Sequence, residues 1–222
     1  MLVPNVLRCS LSVKVLLRIN MKKFIKVLSL CALSLGVFTV HADPMHDLQK
    51  SLSNFNALSC DFTQEVYKAD GAKLSESQGR LLISKPDKLL MHTQSPDEQY
   101  LLTKDNAVYF YDPFVNQLTI FSVSDLNTAP FLLLNSNDKK LWNKYEVIKV
   151  DGGYTLKAKD KGDLKSITLK FSGNVLNTLS LSMRNGNVNT YKLNNQSTNV
   201  NVNDFFVDIP DDAEVDDERR SH

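Results

Sequence analysis

The side chains able to do chemistry are few and scattered. Between residues 43 and 222 the histidines are His46, His92 and His222, and the outer two lie near the ends of that stretch. A lone histidine on a strand, as His92 is expected to be, reads as a surface or hydrogen-bonded group sooner than as a base. Cys60 shares an alternating apolar face with Leu58 and Phe62, so it reads as a buried and unreactive thiol. His-Glu-x-x-His, Cys-x-x-Cys, Gly-x-Ser-x-Gly and the phosphate-binding glycine loop are all missing from the sequence. Asp and Glu are plentiful, and sequence spacing leaves open a hydrolase built on two carboxylates across a cleft. No pattern points to one. The expectation is therefore a protein with no catalytic residues, no metal and no cofactor.

What the sequence does offer is apolar surface on repeated elements. Asp43-Pro44 opens a helix with a capping side chain and a proline at the first helical position. Leu48, Leu52 and Phe55 follow at spacings of four and three, predicting a helix from about 44 to 55 with one apolar stripe. From there the period drops to two: Leu58, Cys60 and Phe62, then later Ile167, Leu169 and Phe171, or Leu179, Leu181 and Met183. That alternation, with turn signals between the runs, predicts antiparallel strands near 57–67, 75–84, 88–94, 97–104, 106–111, 117–123, 144–150, 153–159, 164–171, 175–183 and 187–196. Asn185-Gly186 reads as a type I′ hairpin turn. No long helix separates the strands, so one large, curved antiparallel sheet of about 11 strands is expected.

Thr128-Ala129-Pro130 interrupts this pattern as a helix start, followed by Phe131-Leu132-Leu133-Leu134 and a stop at Asn135. Four consecutive apolar residues cover most of a short helix, so one packing partner cannot cover them all. A second short helix is expected from Asp138 through Trp142. An apolar helix over the face of a curved sheet is either ordinary core packing or the cover of a lipid cavity, and periodicity alone leaves both open.

The first 42 residues read differently. Met21-Lys22-Lys23, the apolar run Phe24 to Phe38 and the exit Val40-His41-Ala42 have the order of a secretory signal peptide, with cleavage after Ala42. Met21 begins a better signal than Met1, which points to Met21 as the true start; an unusually long basic n-region is the alternative. Cys31 follows Leu30 within the apolar run, where a lipid-modified cysteine would follow a small residue, so no lipid anchor is expected. This leader holds six of the 26 Lys and Arg and none of the 25 Asp and Glu, leaving residues 43–222 with 20 against 25, a net −5. That balance speaks against a nucleic-acid partner. Residues 43–222 are expected to form a single domain, and Cys60 has no second cysteine there to pair with.

Several segments together resemble the LolA family across nearly all of residues 43–222. Tyr111-Asp112-Pro113-Phe114-Val115-Asn116-Gln117 is similar to the family's aromatic-(Asn/Asp)-Pro-Phe-Val-x-Gln segment, and Phe62-Thr63-Gln64 to a Phe-Thr-Gln on its first strand. Gly79 to Pro86, Pro130-Phe131 with the following leucines, and Val215 to Arg219 fit in the same order. The resemblance implies an unclosed antiparallel barrel covered by short helices that form a lid over an apolar cavity. It implies a monomeric periplasmic chaperone that accepts acylated lipoproteins from an inner-membrane ABC-type exporter and delivers them to an outer-membrane receptor. Leu52, Leu89, Met91, Phe131, Leu133 and Leu134 would line the cavity and lid. Lys85 stands where the family has an arginine tying the barrel to the lid, with Leu52 and Leu134 at its contacts; Leu89 and Met91 replace a phenylalanine and a tryptophan. A carrier of other envelope lipids, and the lipid-anchored receptor of the same pathway, are the alternatives.

Overall fold

The computed structural model describes residues 43–123, 130–135 and 138–219. The expected leader, Thr128-Ala129 and His222 lie outside the described residues.

Among them are twelve strands: β1 (Ala57–Tyr67), β2 (Lys73–Ser84), β3 (Lys88–Ser95), β4 (Gln99–Lys104), β5 (Ala107–Asp112), β6 (Gln117–Ser122), β7 (Tyr145–Val150), β8 (Gly153–Ala158), β9 (Leu164–Ser172), β10 (Val175–Met183), β11 (Val188–Ser197) and β12 (Glu214–Asp217). Three helices accompany them, α1 (Pro44–Leu52), α2 (Pro130–Asn135) and α3 (Lys139–Trp142), with a 3-10 turn at Val202–Phe205. All twelve strands join one sheet in the order β12-β6-β5-β4-β3-β2-β1-β11-β10-β9-β8-β7. The eleven expected strands are present with ends shifted by at most two residues. β12 was not expected. It pairs parallel to β6, the one parallel ladder among the described strands, and Glu-Val-Asp-Asp carries no apolar alternation that would mark a strand.

The sheet is not closed into a barrel, since β12 and β7 are its edges. It is nonetheless strongly curved. From β2 to β7 is six strand spacings, about 29 Å in a flat sheet. Helix α1, nine residues and about 13 Å long, packs against β7 while its last carbonyl meets Lys85 just beyond β2. Only a sheet curled toward itself brings both within reach of so short a helix.

The curl gives two apolar faces. The larger cluster fills the concave side with Leu58, Cys60 and Phe62 of β1, Leu81 and Ile83 of β2, Leu89 of β3 and the inward residues of β7 to β11, together with the helices. The other face is covered where β2 to β6 present Leu82, Leu90, Leu102, Tyr111 and Ile120, and there Phe205, Val207, Ile209 and Ala213 lie across it. Gly79 marks a close approach in the first half of the sheet. A Cβ there would come within 2.0 Å of His92 O and 2.8 Å of the Phe62 ring, so only glycine lets β2 and β3 pair beneath that ring.

Two local expectations are corrected. Helix α1 ends at Leu52, not near residue 55, because Ser53 caps it with Oγ bonded to Lys50 O and its N–H bonded to Gln49 O. The β10–β11 turn is not type I′. Of its residues only Gly186 has a positive φ, +89°, Gly186 N–H bonds Met183 O, and Met183 N–H bonds Asn187 O. This is the longer hairpin loop closed by a left-handed glycine bulge, a geometry the same Asn-Gly pair also serves.

Candidate functional site

The concave face is where the singled-out apolar residues meet. Asp43 Oδ1 accepts from Met45 N–H at 3.0 Å, holding the start of α1 so that Leu48 and Leu52 point into the sheet. Asp138 caps α3 in the same way, through Lys140 N–H at 2.8 Å, and α3 buries Trp142. Between them, Phe131, Leu132, Leu133 and Leu134 of α2 are only 2–7 % exposed. A two-turn helix exposing none of four adjacent apolar residues has apolar neighbours on every side. Leu52, Leu89, Phe131, Leu133 and Leu134 belong to one contiguous apolar cluster, and half-buried Met91 packs against it.

An aromatic column anchors α2. The Phe131 ring stands edge-on to Tyr191 of β11 at 4.9 Å and 85°, and Tyr191 in turn stands edge-on to Phe62 of β1 at 5.9 Å. Such pairs add about 0.5–1.5 kcal/mol each beyond area burial. Burial pushes the Tyr191 hydroxyl up to about 12, so it stays protonated beside Asn189, whose amide Gln64 bonds at 2.9 Å. Sequence reading missed Tyr191. Its only signal was alternation with Leu193.

Lys85 sits at the rim. Its Nζ donates to Leu52 O at 2.6 Å and lies 4.4 Å from the centroid of the Phe55 ring. Leu52 O is one of the last carbonyls of α1, which no helical N–H can satisfy, and a cation at a helix C-terminus is stabilising by about 0.3–1 kcal/mol. Burial draws the Lys85 ammonium below the usual lysine range. Beside it opens a cleft of about 460 Å³ lined by His46, Gln49, Lys50, Leu52, Ser53, Lys85, Leu134, Lys139 and Trp142. Lys85 and Leu134 therefore share a cleft, while the described hydrogen bond of the Lys85 ammonium is to Leu52 O and its backbone N–H bonds Asn56 O at 2.8 Å.

Of the remaining reactive types, Cys60 and His92 are not among the residues lining the cleft, and His46 is. Cys60 is buried, and burial first, then the Asp61 charge, pushes its thiol up to about 12. His92 Nε2 meets Glu98 Oε1 at 2.9 Å and its ring stacks on Tyr100 at 4.2 Å. His46 lines the cleft beside Lys85. Among the described residues no three His, Cys, Asp or Glu side chains are grouped to hold a metal ion, and no helix is long and apolar enough to cross a membrane.

Residues 53–206, spanning β1 to β11 and α2, match the family model described as outer membrane lipoprotein carrier protein LolA. The chain belongs to the LolA family. Two proteins named outer-membrane lipoprotein carrier protein illustrate the relationship. One from Actinobacillus succinogenes is 36 % identical over 205 residues, covering 90 % of this chain and 99 % of that protein. Another from Glaesserella parasuis is 34 % identical over 206 residues, with the same coverage. The segment 111–117 by which the sequence resembles LolA is the β5–β6 hairpin. Tyr111 Oη donates to Asn116 Oδ1 at 3.1 Å, Phe114 N–H bonds Asp112 Oδ1, and Asn116 takes a positive φ of 50°. Glu214 N–H bonds Asn116 O at 2.8 Å, so this LolA hairpin also receives β12.

Proposed function

We propose that this LolA-family chain is a carrier of acylated lipoproteins in the periplasm, and not an enzyme. The observation that carries the reading is α2, a helix apolar on all its described sides whose natural neighbours are the concave face of the sheet and, when displaced, an acyl chain. Residues 43–222 act as a single carrier domain, monomeric, behind a signal peptide that ends at Ala42. An inner-membrane ABC-type exporter loads it, and an outer-membrane receptor takes the cargo. The carrier itself supplies no chemical energy.

The magnitudes suit a shuttle. Each buried methylene is worth about 0.8 kcal/mol, so an acyl chain of about 15 methylenes leaves a membrane at a cost of about 12 kcal/mol. A carrier must return a similar amount and still let go. Burying four side chains of the α2 type is worth roughly 1.5–3 kcal/mol each, about 6–12 kcal/mol together as an upper estimate. Lid closure and occupancy by one acyl chain thus compete on nearly even terms, which makes a bistable lid. Leu52, Leu89, Met91, Phe131, Leu133 and Leu134 form the surface exchanged between lid and cargo. Lys85, bonded to Leu52 O, is the latch.

The test is cargo selectivity. Purified protein is mixed with one lipoprotein in acylated and unacylated forms, and soluble complexes are separated by size. The acylated form is expected in a one-to-one complex and the unacylated form is expected free, with Leu134→Asp abolishing the complex. Equal binding of both forms contradicts the reading. Capture of envelope glycolipids in place of lipoprotein moves the carrier to another cargo.

A further inference from the structure

The cleft beside Lys85 has a composition the carrier reading does not use. Four of its nine lining residues are basic types, His46, Lys50, Lys85 and Lys139, and none is acidic. They come from three separate elements: His46 and Lys50 lie one turn apart on α1, Lys85 follows β2, and Lys139 begins α3. The nearby acids on those helices, Asp47 and Asp138, are not among the lining residues, and the Asp138 carboxylate is turned to Lys140 N–H. Among the described residues no carboxylate forms an ion pair with Lys50, Lys85 or Lys139. Lys85 has three N–H donors and spends one on Leu52 O. Apolar Leu52 and Leu134 and the indole of Trp142 complete the walls. Three lysines lining one cleft, with no carboxylate ion-paired to them among the described residues, outweigh the partial negative charge at the α1 C-terminus and favour an anion there, and the volume falls within the roughly 300–1,000 Å³ of small-ligand pockets.

We propose that this cleft binds a phosphate-class anion, held by Lys50, Lys85 and Lys139 together, as an ionic brace across α1, the sheet and α3. Lys85 keeps Leu52 O and its place over the Phe55 ring and gives a remaining donor to the anion. The bound group therefore adds to the latch and does not compete with it. A phospholipid headgroup and free phosphate offer the same oxygens; the apolar walls give the lipid further contact. The brace rests on the reading of α1 to α3 as a lid. Binding itself does not, so failed phosphate binding and failed cargo binding are separate results.

Trp142, the one tryptophan of the chain, lines the cleft and reports on it by fluorescence. The full chain is titrated at fixed ionic strength with inorganic phosphate, then with short-chain phosphatidylglycerol below its micelle concentration. A saturable change is expected, with a midpoint near the millimolar range for phosphate and about ten-fold weaker binding in the Lys50→Gln/Lys139→Gln double variant. That variant leaves the Lys85–Leu52 bond in place, and its fold is checked by circular dichroism and by its own melting curve. Phosphatidylglycerol binding about ten-fold tighter than phosphate or more assigns the site to a headgroup, and equal or weaker binding assigns it to the free anion. No saturable change with either probe, or an unaltered midpoint in a folded double variant, overturns the proposal.

Discussion

At the residue scale, Lys85 and Cys60 carry the most testable chemistry. The Lys85 ammonium makes one hydrogen bond to α1, at Leu52 O, where an arginine would offer a planar fork of five donors. Lys85→Arg is expected to add one charge-assisted bond of about 1–2 kcal/mol and to slow cargo release about five- to thirty-fold without loss of binding. Release kinetics of the variant measure this directly, and unchanged affinity and release would dismiss the looser latch. Cys60 makes the opposite kind of prediction. With its thiol pushed from 9.0 to about 12 by burial, it stays protonated at pH 8, so alkylation is expected only as fast as the protein unfolds. The unfolded thiol ionises near its ordinary value while the folded one does not, so this group favours the fold fully below pH 9. That contribution is lost as pH rises toward about 12. Rapid alkylation of the native protein would show that the concave face opens widely in solution.

At the element scale the central question is whether α2 is core or cover. Removing a buried phenylalanine from a rigid core costs about 3–5 kcal/mol. If α2 is a cover, Phe131→Ala gives up its edge contact with Tyr191 and lets the helix detach locally, leaving global stability lowered by less than about 2 kcal/mol. Hydrogen exchange at residues 131–134, read beside denaturant unfolding, separates the two cases. Gly79→Ala should behave as an ordinary core failure, because the added Cβ meets backbone and not a flexible chain end. A loss above about 3 kcal/mol, or no folded protein, is expected there. The strands β1 to β11 were legible because turn residues separate the runs and alternation is clear along β1, β8, β9 and β10. β12 was not, because backbone pairing to the edge of β6 makes it a strand, and pairing leaves no mark in Glu-Val-Asp-Asp. The covering segment with Phe205, Val207 and Ile209 escaped for a related reason: its apolar residues pack onto the outer face without joining a ladder.

At the scale of the whole molecule, alternation predicted one curved sheet, yet the relation of lid to sheet came only through resemblance to LolA. No spacing in the sequence ties Lys85 to Leu52, which are 33 residues apart, or Phe131 to Tyr191. Such contacts arise from the curl that carries β7 back toward β2, and curl is a property of the assembled sheet. On the proposed carrier reading, the same curl is what would let one concave face take either its own helices or a guest of similar apolar area.

The measurement that bears most directly on this account is release from membranes. The protein is added to inner membranes bearing the matching exporter, newly made lipoprotein and ATP, and the soluble fraction is assayed for lipoprotein. Appearance of lipoprotein in a one-to-one soluble complex, lost with Leu134→Asp and slower to unload with Lys85→Arg, is the result the account predicts. No soluble lipoprotein, from folded protein and an exporter active with its own carrier, would contradict it.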